Sequence, residues 1–292
     1  MPSPAVLPVV LTVGSLHYDI VVEADHLPAR DETGVGSRWY PKFGGKGGNQ
    51  AASTAKAGVA SRMVGAVGSD DFGSFLRAHL ETAGVDHRFV ATVPGVGSGM
   101  SVAIMDAGGD YAATIVSGAN LHIAPQSLTD PALWADVALL VLQNEVPEAL
   151  NIAAATEARR RGIRTVLNAA PCRPMSADFT ALVDILVVNA VEAEMMGTAP
   201  ICCLNNAADA ARLLADQFDA VIVTAGSKGL AAWTATDDHF TLAAEKVQVV
   251  SSHGAGDAFI GALAASLAAR ADLHSAAQAA SHAAALHVST PR

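Results

Sequence analysis

Short apolar runs, most of them rich in β-branched residues, recur along the chain between stretches with helical periodicity. The runs at 9–13, 62–67, 138–142, 164–167, 185–188 and 220–224 read as strands covered on both faces, because a half-solvated strand would alternate apolar with polar residues. Between them, residues 48–57, 72–83, 148–160, 207–216, 258–269 and 274–287 read as helices. This alternation predicts an α/β fold: a central, mostly parallel sheet flanked by helices on both faces, with its ligand site at the carboxyl ends of the strands. Two regions, 20–43 and 100–116, break the alternation with extended, partly alternating stretches. In the second, Gly108-Gly109-Asp110 is placed to turn a hairpin between 102–105 and 111–116. Together they predict a small β lid, drawn from about 19–43 and 97–116, that excludes water from a ligand site, or else an ordinary peripheral hairpin.

A chain of 292 residues, half of them apolar, can bury one large core, so a single principal domain over 1–292 is expected. Abundant alanine and sparse aromatics suit closely packed helices. A net charge of −10 argues against nucleic acid or an anionic membrane as partner, since both are held by clustered Lys and Arg. Three cysteines, two of them adjacent, suggest neither a disulfide framework nor a zinc site, and a reducing cytoplasm fits. The apolar start lacks the basic region of a signal peptide and reads as a first buried strand. No apolar run reaches the ~20 residues of a membrane helix.

The chemistry concentrates in two glycine-rich segments. In the first, Ser251-Ser252-His253-Gly254-Ala255-Gly256-Asp257 opens directly onto an alanine-rich helix. Gly254, Ala255 and Gly256 present little side-chain bulk, so free N–H groups at the helix start can close on a phosphate, with Asp257 beside it. An acidic residue favoured by the helix dipole is the plainer reading of that position. In the second, Phe43-Gly44-Gly45-Lys46-Gly47-Gly48-Asn49-Gln50 combines close backbone approach with a cation and an amide on the rim. It is not a Walker A loop, because no Ser or Thr follows Lys46. The turn after the first strand, Gly14-Ser15-Leu16-His17-Tyr18-Asp19, lacks the GxGxxG of a dinucleotide fold.

With further elements in order, namely Val67-Gly68-Ser69-Asp70-Asp71-Phe72-Gly73, Ser117-Gly118-Ala119-Asn120, Asn168-Ala169-Ala170-Pro171, Asn189-Ala190-Val191-Glu192 and Thr224-Ala225-Gly226-Ser227-Lys228-Gly229, the whole chain resembles the ribokinase branch of the PfkB sugar-kinase family. The resemblance implies a ribokinase-like fold and phosphoryl transfer from ATP to a sugar hydroxyl. In it Asp257 is the general base, and the N–H groups from Ala255 to Asp257 hold the transferring oxygens. Asn189 and Glu192 match an NxxE element that orders Mg²⁺ and its waters, although the pair also reads as a plain helix cap. Thr224, Gly226, Ser227 and Gly229, with Gly256, match positions flanking the nucleotide, where a tight turn is the simpler reading. Asp19 at the strand end, Gly45, Lys46, Asn49, Gly99 and Glu145 match the acceptor row, Glu145 being otherwise a solvated loop acid before Pro147. A homodimer paired through the lids is also implied.

Two departures from the family pattern matter. His17 stands where ribokinases usually carry an asparagine that touches the sugar, which reads as a specificity position or else as a structural histidine after a strand, and Tyr18 and Trp39 add aromatic surface nearby for stacking or for packing the lid. Ser251, Ser252 and His253 stand where relatives commonly carry an aspartate and threonine that help bind potassium, and the sequence given ends at Ser289-Thr290-Pro291-Arg292 where relatives continue with further carbonyl ligands. Weak or absent potassium activation is therefore expected. The expected acceptor is a ribose-like pentose or related furanose. A nucleoside acceptor is the alternative, and a non-catalytic sugar or nucleotide sensor is the reading of another class.

Overall fold

The first apolar run forms β1 (Val9–Val13), after which the chain leaves the main sheet to build β2 (His17–Ala24) and β3 (Gly36–Gly44). The computed structural model describes residues 7–106, 108 and 111–290. The chain continues through α1 (Lys46–Lys56), β4 (Ala60–Gly68), α2 (Asp71–Thr82), β5 (Val85–Val93), β6 (Met100–Met105), β7 (Tyr111–Val116) and β8 (Val137–Gln143). Its second half comprises α3 (Glu148–Arg160), β9 (Arg164–Asn168), α4 (Ala177–Thr180), β10 (Ile185–Asn189), α5 (Ala190–Met195), α6 (Leu204–Leu214), β11 (Ala220–Thr224), β12 (Leu230–Thr234), β13 (His239–Leu242), α7 (Ala255–Ala268) and α8 (Leu273–Ser289).

The main sheet has nine strands in the order β13-β12-β11-β10-β9-β8-β1-β4-β5. Every pairing from β11 to β5 is parallel, and β12 and β13 add antiparallel strands at one edge. Each apolar run expected to be a strand is one. The sequence pattern missed β5, β12 and β13, which lie at or next to the sheet edges. In β5 only Val85 and Val90 are buried, so the residues carry no continuous apolar signal.

Successive residues of a strand point to opposite faces, and the core follows that rule. On one face Leu11, Leu140, Leu167 and Val221 pack with Ala154 of α3, Phe179 of α4, Ala193 of α5 and Ala211 of α6. On the other, Val10, Val141 and Ile222 meet α7 and α8, while Met63, Val67 and Val85 meet α1 and α2. Leu11 and Leu140 are completely shielded from water, each contributing about 1.5–3 kcal/mol by burial. Because the chain leaves β1 toward β4 on one side and reaches β8 on the other, the order in which strands are added reverses at β1, the place where a parallel sheet opens a crevice at its carboxyl ends.

A second, four-stranded sheet runs β3-β2-β6-β7. The hairpin of β6 and β7 ends on the pair Met105 and Tyr111, and of its expected turn residues Gly109 and Asp110 lie outside the described residues. Asp19, expected at the end of the first strand, instead lies inside β2, opposite Lys42 of β3 and Ser101 of β6. The main strand has already ended at Val13, so this carboxylate belongs to the small sheet. Tyr18 stacks on Phe72 of α2 at 4.0 Å and meets Phe75 edge-on, so it anchors the small sheet to α2. Trp39 on β3 is 63% exposed.

Candidate active site

Helix α1 begins two residues earlier than its periodicity predicts, because Gly45 turns the chain at φ 85° and acts as its N-cap. A Cβ on Gly45 would lie 2.8 Å from backbone atoms of Ser15, Leu16 and His17, so only glycine allows the helix start to lie on the β1–β2 turn. Glu145, after β8, is held there: its Oε2 accepts from the Ser15 hydroxyl at 2.5 Å and from the Lys46 N–H at 2.8 Å. It is therefore an anchored, 13%-exposed carboxylate at a helix N-terminus rather than a solvated loop acid. His17 lies beside it, with Nδ1 4.0 Å from that oxygen. The imidazole is buried, and its Nε2 has no hydrogen-bond partner among the described residues. Gly99 packs against this ring and Asn120, where a Cβ would come within 2.6 Å of His17 Cδ2. Asp19 lies over Gly44 and accepts from Ser101 Oγ at 2.5 Å. Burial raises its pKa, against the lowering effects of Ser101, His17 and Lys42.

Asp257 sits in the first turn of α7, which starts at Ala255, three residues before the expected position. The residue is 8% exposed, and its two oxygens accept from Asn49 Nδ2 at 3.1 Å and Gln50 Nε2 at 3.0 Å. Burial pushes its pKa up; Lys46, Gln50 and Asn49 pull the other way. Gln50, quoted in the glycine-rich segment but given no role, is the hub of a buried amide chain. Its Nε2 also donates to Asn168 Oδ1 at 3.0 Å, and its Oε1 accepts from Gln143 Nε2 at 2.8 Å. Nothing local marks Gln50, since its partners arrive from β8, β9 and α7.

Gly254 adopts φ 80° as N-cap of α7 and has no side chain to cap the helix. The Ala255 N–H is occupied by Ser252 O at 3.3 Å, whereas the Gly256 and Asp257 N–H groups find no acceptor among the described residues. The anion cradle read from the sequence is thus two donors rather than three, with the positive end of α7 behind them.

These donors open on a cavity of about 180 Å³ that Lys46, Asp257, Gly256, Asn189, Glu192 and Thr224 share. Asn189 and Glu192 form a reciprocal capping box, Asn189 Oδ1 accepting from the Glu192 N–H at 2.8 Å and Glu192 Oε2 from the Asn189 N–H at 2.9 Å. The box leaves Asn189 Nδ2 and Glu192 Oε1 without a partner among the described residues. Burial raises the Glu192 pKa, and Lys46 counters it. Lys46 therefore sits in the field of both Glu192 and Asp257, on the phosphate side of the site as well as the acceptor side. Gly226, Ser227 and Gly229 form the tight turn between β11 and β12 and do not line this cavity; at Gly229, φ is 116° and a Cβ would strike Leu242 O. A larger cleft of about 640 Å³ joins Asp257, Asn49 and Gly254 to Lys42, His253 and His287.

The structure thus brings the early acidic strand, the glycine-rich helix start and the late carboxylate together at the carboxyl ends of the central strands. A doubly wound sheet with a small second sheet beside such a crevice is the architecture of ribokinase-like kinases. The comparison with known families agrees: the family model described as pfkB family carbohydrate kinase matches residues 8–292, and the chain belongs to that family. It is 31% identical over 258 residues to a deoxyribokinase of Salmonella typhi, covering 87% of this chain and 84% of that protein. To a mouse ribokinase it is 31% identical over 261 residues, covering 87% and 80%. The structure of Arabidopsis thaliana ribokinase complexed with ribose and ATP superposes with a TM-score of 0.91 at 27% identity, over 98% of this chain and 94% of that one. The protein is an ATP-dependent carbohydrate kinase.

Proposed function

We propose that the protein transfers the γ-phosphoryl group of ATP to a hydroxyl of a ribose-like pentose or related furanose, with Asp257 as general base. One observation carries this reading: a buried carboxylate, two free helix-start N–H groups and a lysine share one cavity, while Asn49 ties that carboxylate to the acceptor row. The acceptor oxygen attacks the γ-phosphorus, its proton passes to Asp257, and the bond to the β-phosphate oxygen breaks to release ADP. The Gly256 and Asp257 N–H groups and Lys46 face the charge that develops on the transferring oxygens.

Mg²⁺ fits as an ion that arrives with the nucleotide. Among the described residues no cluster of three or more His, Cys, Asp or Glu side chains forms a metal cage, whereas the unpaired Glu192 Oε1 suits an ion that keeps its water and is held mainly by phosphates. It would be held there through its waters by Glu192 Oε1 and the remaining lone pair of Asn189 Oδ1, and would supply charge neutralisation for the phosphates. Thr224, with the Gly226–Gly229 turn behind it, flanks the nucleotide.

On the acceptor side, Asp19, Asn49, Glu145 and Gly45 surround the sugar, and His17 reads it. The buried His17 Nε2, without a partner among the described residues, leaves about 1–3 kcal/mol of unmet hydrogen bonding beside Glu145. Tyr18 has one face stacked on Phe72, which closes that face to a base and supports a packing role for the ring. The small sheet is the lid, and a second copy of the chain pairs on it, covering the exposed Trp39 and Ile115, which are 63% and 57% accessible. A reducing cytoplasm suits the three unpaired cysteines. The test is ADP release from ATP over a panel of pentoses, deoxypentoses, hexoses and nucleosides. Turnover with nucleosides alone would overturn the sugar assignment. No turnover with any acceptor, together with unaltered ligand binding by Asp257→Asn, would make the protein a sensor.

A further inference from the structure

The family resemblance implies a monovalent cation beside the turn that precedes the anion hole, held by a carboxylate and backbone carbonyls. The residues here do not fit that ion. Ser251 and Ser252 are exposed and supply no carboxylate. Two carbonyls beside the turn already accept from protein donors. His253 O, one residue before the Gly254 N-cap, accepts from His287 Nε2 at 3.0 Å. Val288 O accepts from the Val250 N–H at 2.8 Å and the Ser251 N–H at 3.2 Å. Two consecutive residues near the end of α8 therefore hold both sides of the segment that leads into the free Gly256 and Asp257 donors.

We propose that His287 is a positioning residue: its imidazole N–H, acting on the His253 carbonyl, fixes the turn that aims the anion hole, and this protein-borne donor replaces the monovalent cation. The chemistry is a direct substitution. A cation against a carbonyl oxygen and an N–H against the same oxygen both orient the peptide unit, and this peptide unit fixes the left-handed turn at Gly254, where φ is 80°. The donor comes from a long helix, α8, whose Ala276, Ala277 and Ala280 are fully buried against α7, so the helix that presents the imidazole packs on the helix it serves. The effect on activity rests on the kinase reading, whereas the brace itself does not.

The experiment compares the full chain with His287→Ala and His287→Gln. Amide hydrogen exchange is followed for peptides spanning 251–257, and kcat and KM are measured in potassium, sodium and tetramethylammonium chlorides at constant ionic strength. The parent should show the same kcat in all three salts. His287→Ala should exchange ~10-fold faster at 251–257 with α3 unchanged, and lose ~10-fold in kcat with the acceptor KM preserved, as for one lost orienting hydrogen bond. His287→Gln, whose carboxamide N–H can reach the same carbonyl, should restore both. Equal exchange in the parent and His287→Ala overturns the brace, and a parent kcat that climbs steeply with potassium overturns the replacement. If the parent turns over no acceptor, the kinase reading fails and the exchange data still decide the brace.

Discussion

Gly256→Ala separates the chemistry from the fold. Gly256 lies in the first turn of α7, and a Cβ built there meets no heavy atom within 4 Å, so the protein itself has room for the methyl. Alanine in a helix is favoured over glycine by about 0.5–1 kcal/mol, which for a chain of this size raises Tm by on the order of 1–3 °C. The open space is, however, the cavity shared by Lys46, Glu192 and Asp257. A methyl there displaces the transferring phosphoryl group from two N–H donors, and misplacing one such donor typically costs about 10²–10³ in kcat. The expected result is an equal or higher Tm with kcat reduced by roughly that factor, measured by thermal melts and coupled ADP release. Gly261→Ala, on the same helix, should do the reverse: its Cβ would sit 2.4 Å from Ser53 Cβ, so overpacking costs about 1–3 kcal/mol while kcat of the folded fraction holds. Should Gly256→Ala retain parental kcat, the phosphoryl group does not pass over the start of α7 and the mechanism above is wrong.

Asp257→Asn should lower kcat by about 10²–10⁴ while the protein stays folded, since the half-exposed Asn49 can turn its amide to accept from the new N–H. Because burial raises the Asp257 pKa, its contribution to stability is fully present below the unfolded value near 3.8 and is lost as pH rises through the folded one. Relative to Asp257→Asn, the parent should therefore lose Tm between acid and neutral pH; a difference that stays flat with pH would contradict the burial. The same carboxylate must be ionised to act as base, so the acid limb of kcat/KM should lie above the ordinary aspartate range and move higher still in Lys46→Met, which removes the neighbouring cation. Gln50→Leu should cost about 1–3 kcal/mol for each partner left unpaired among Gln143, Asn168 and Asp257, readable as a lower Tm and reduced kcat.

The strands of the parallel sheet were legible because burial on both faces writes itself as an unbroken apolar run, as in residues 220–224. The edge strands were not, since β5 buries only two separated positions and β13 buries none. The glycine-rich segments located the site, but the charge on its walls is organised by residues that carry no local signal. Gln50 meets Asn168 across 118 positions and Asp257 across 207, a relation that only the folded topology creates. Glu145 likewise gave no sign of its bond to Ser15, 130 positions away. Asn189 and Glu192 show the converse: the local cap was fully readable, while the cavity they share with Lys46 was not.

The candidate site is split between two pieces of architecture. Asp19 and Ser101 stand on strands of the four-stranded sheet, and Lys46 starts α1 directly after β3 of that sheet, whereas Gly256 and Asp257 stand at the start of α7, which packs on the nine-stranded sheet. On the roles proposed above, substitutions on the outer strands retune which sugar is admitted while the start of α7 and Asp257 stay in place. Such separability is the property a lineage needs to diversify its diet of substrates without reinventing its chemistry.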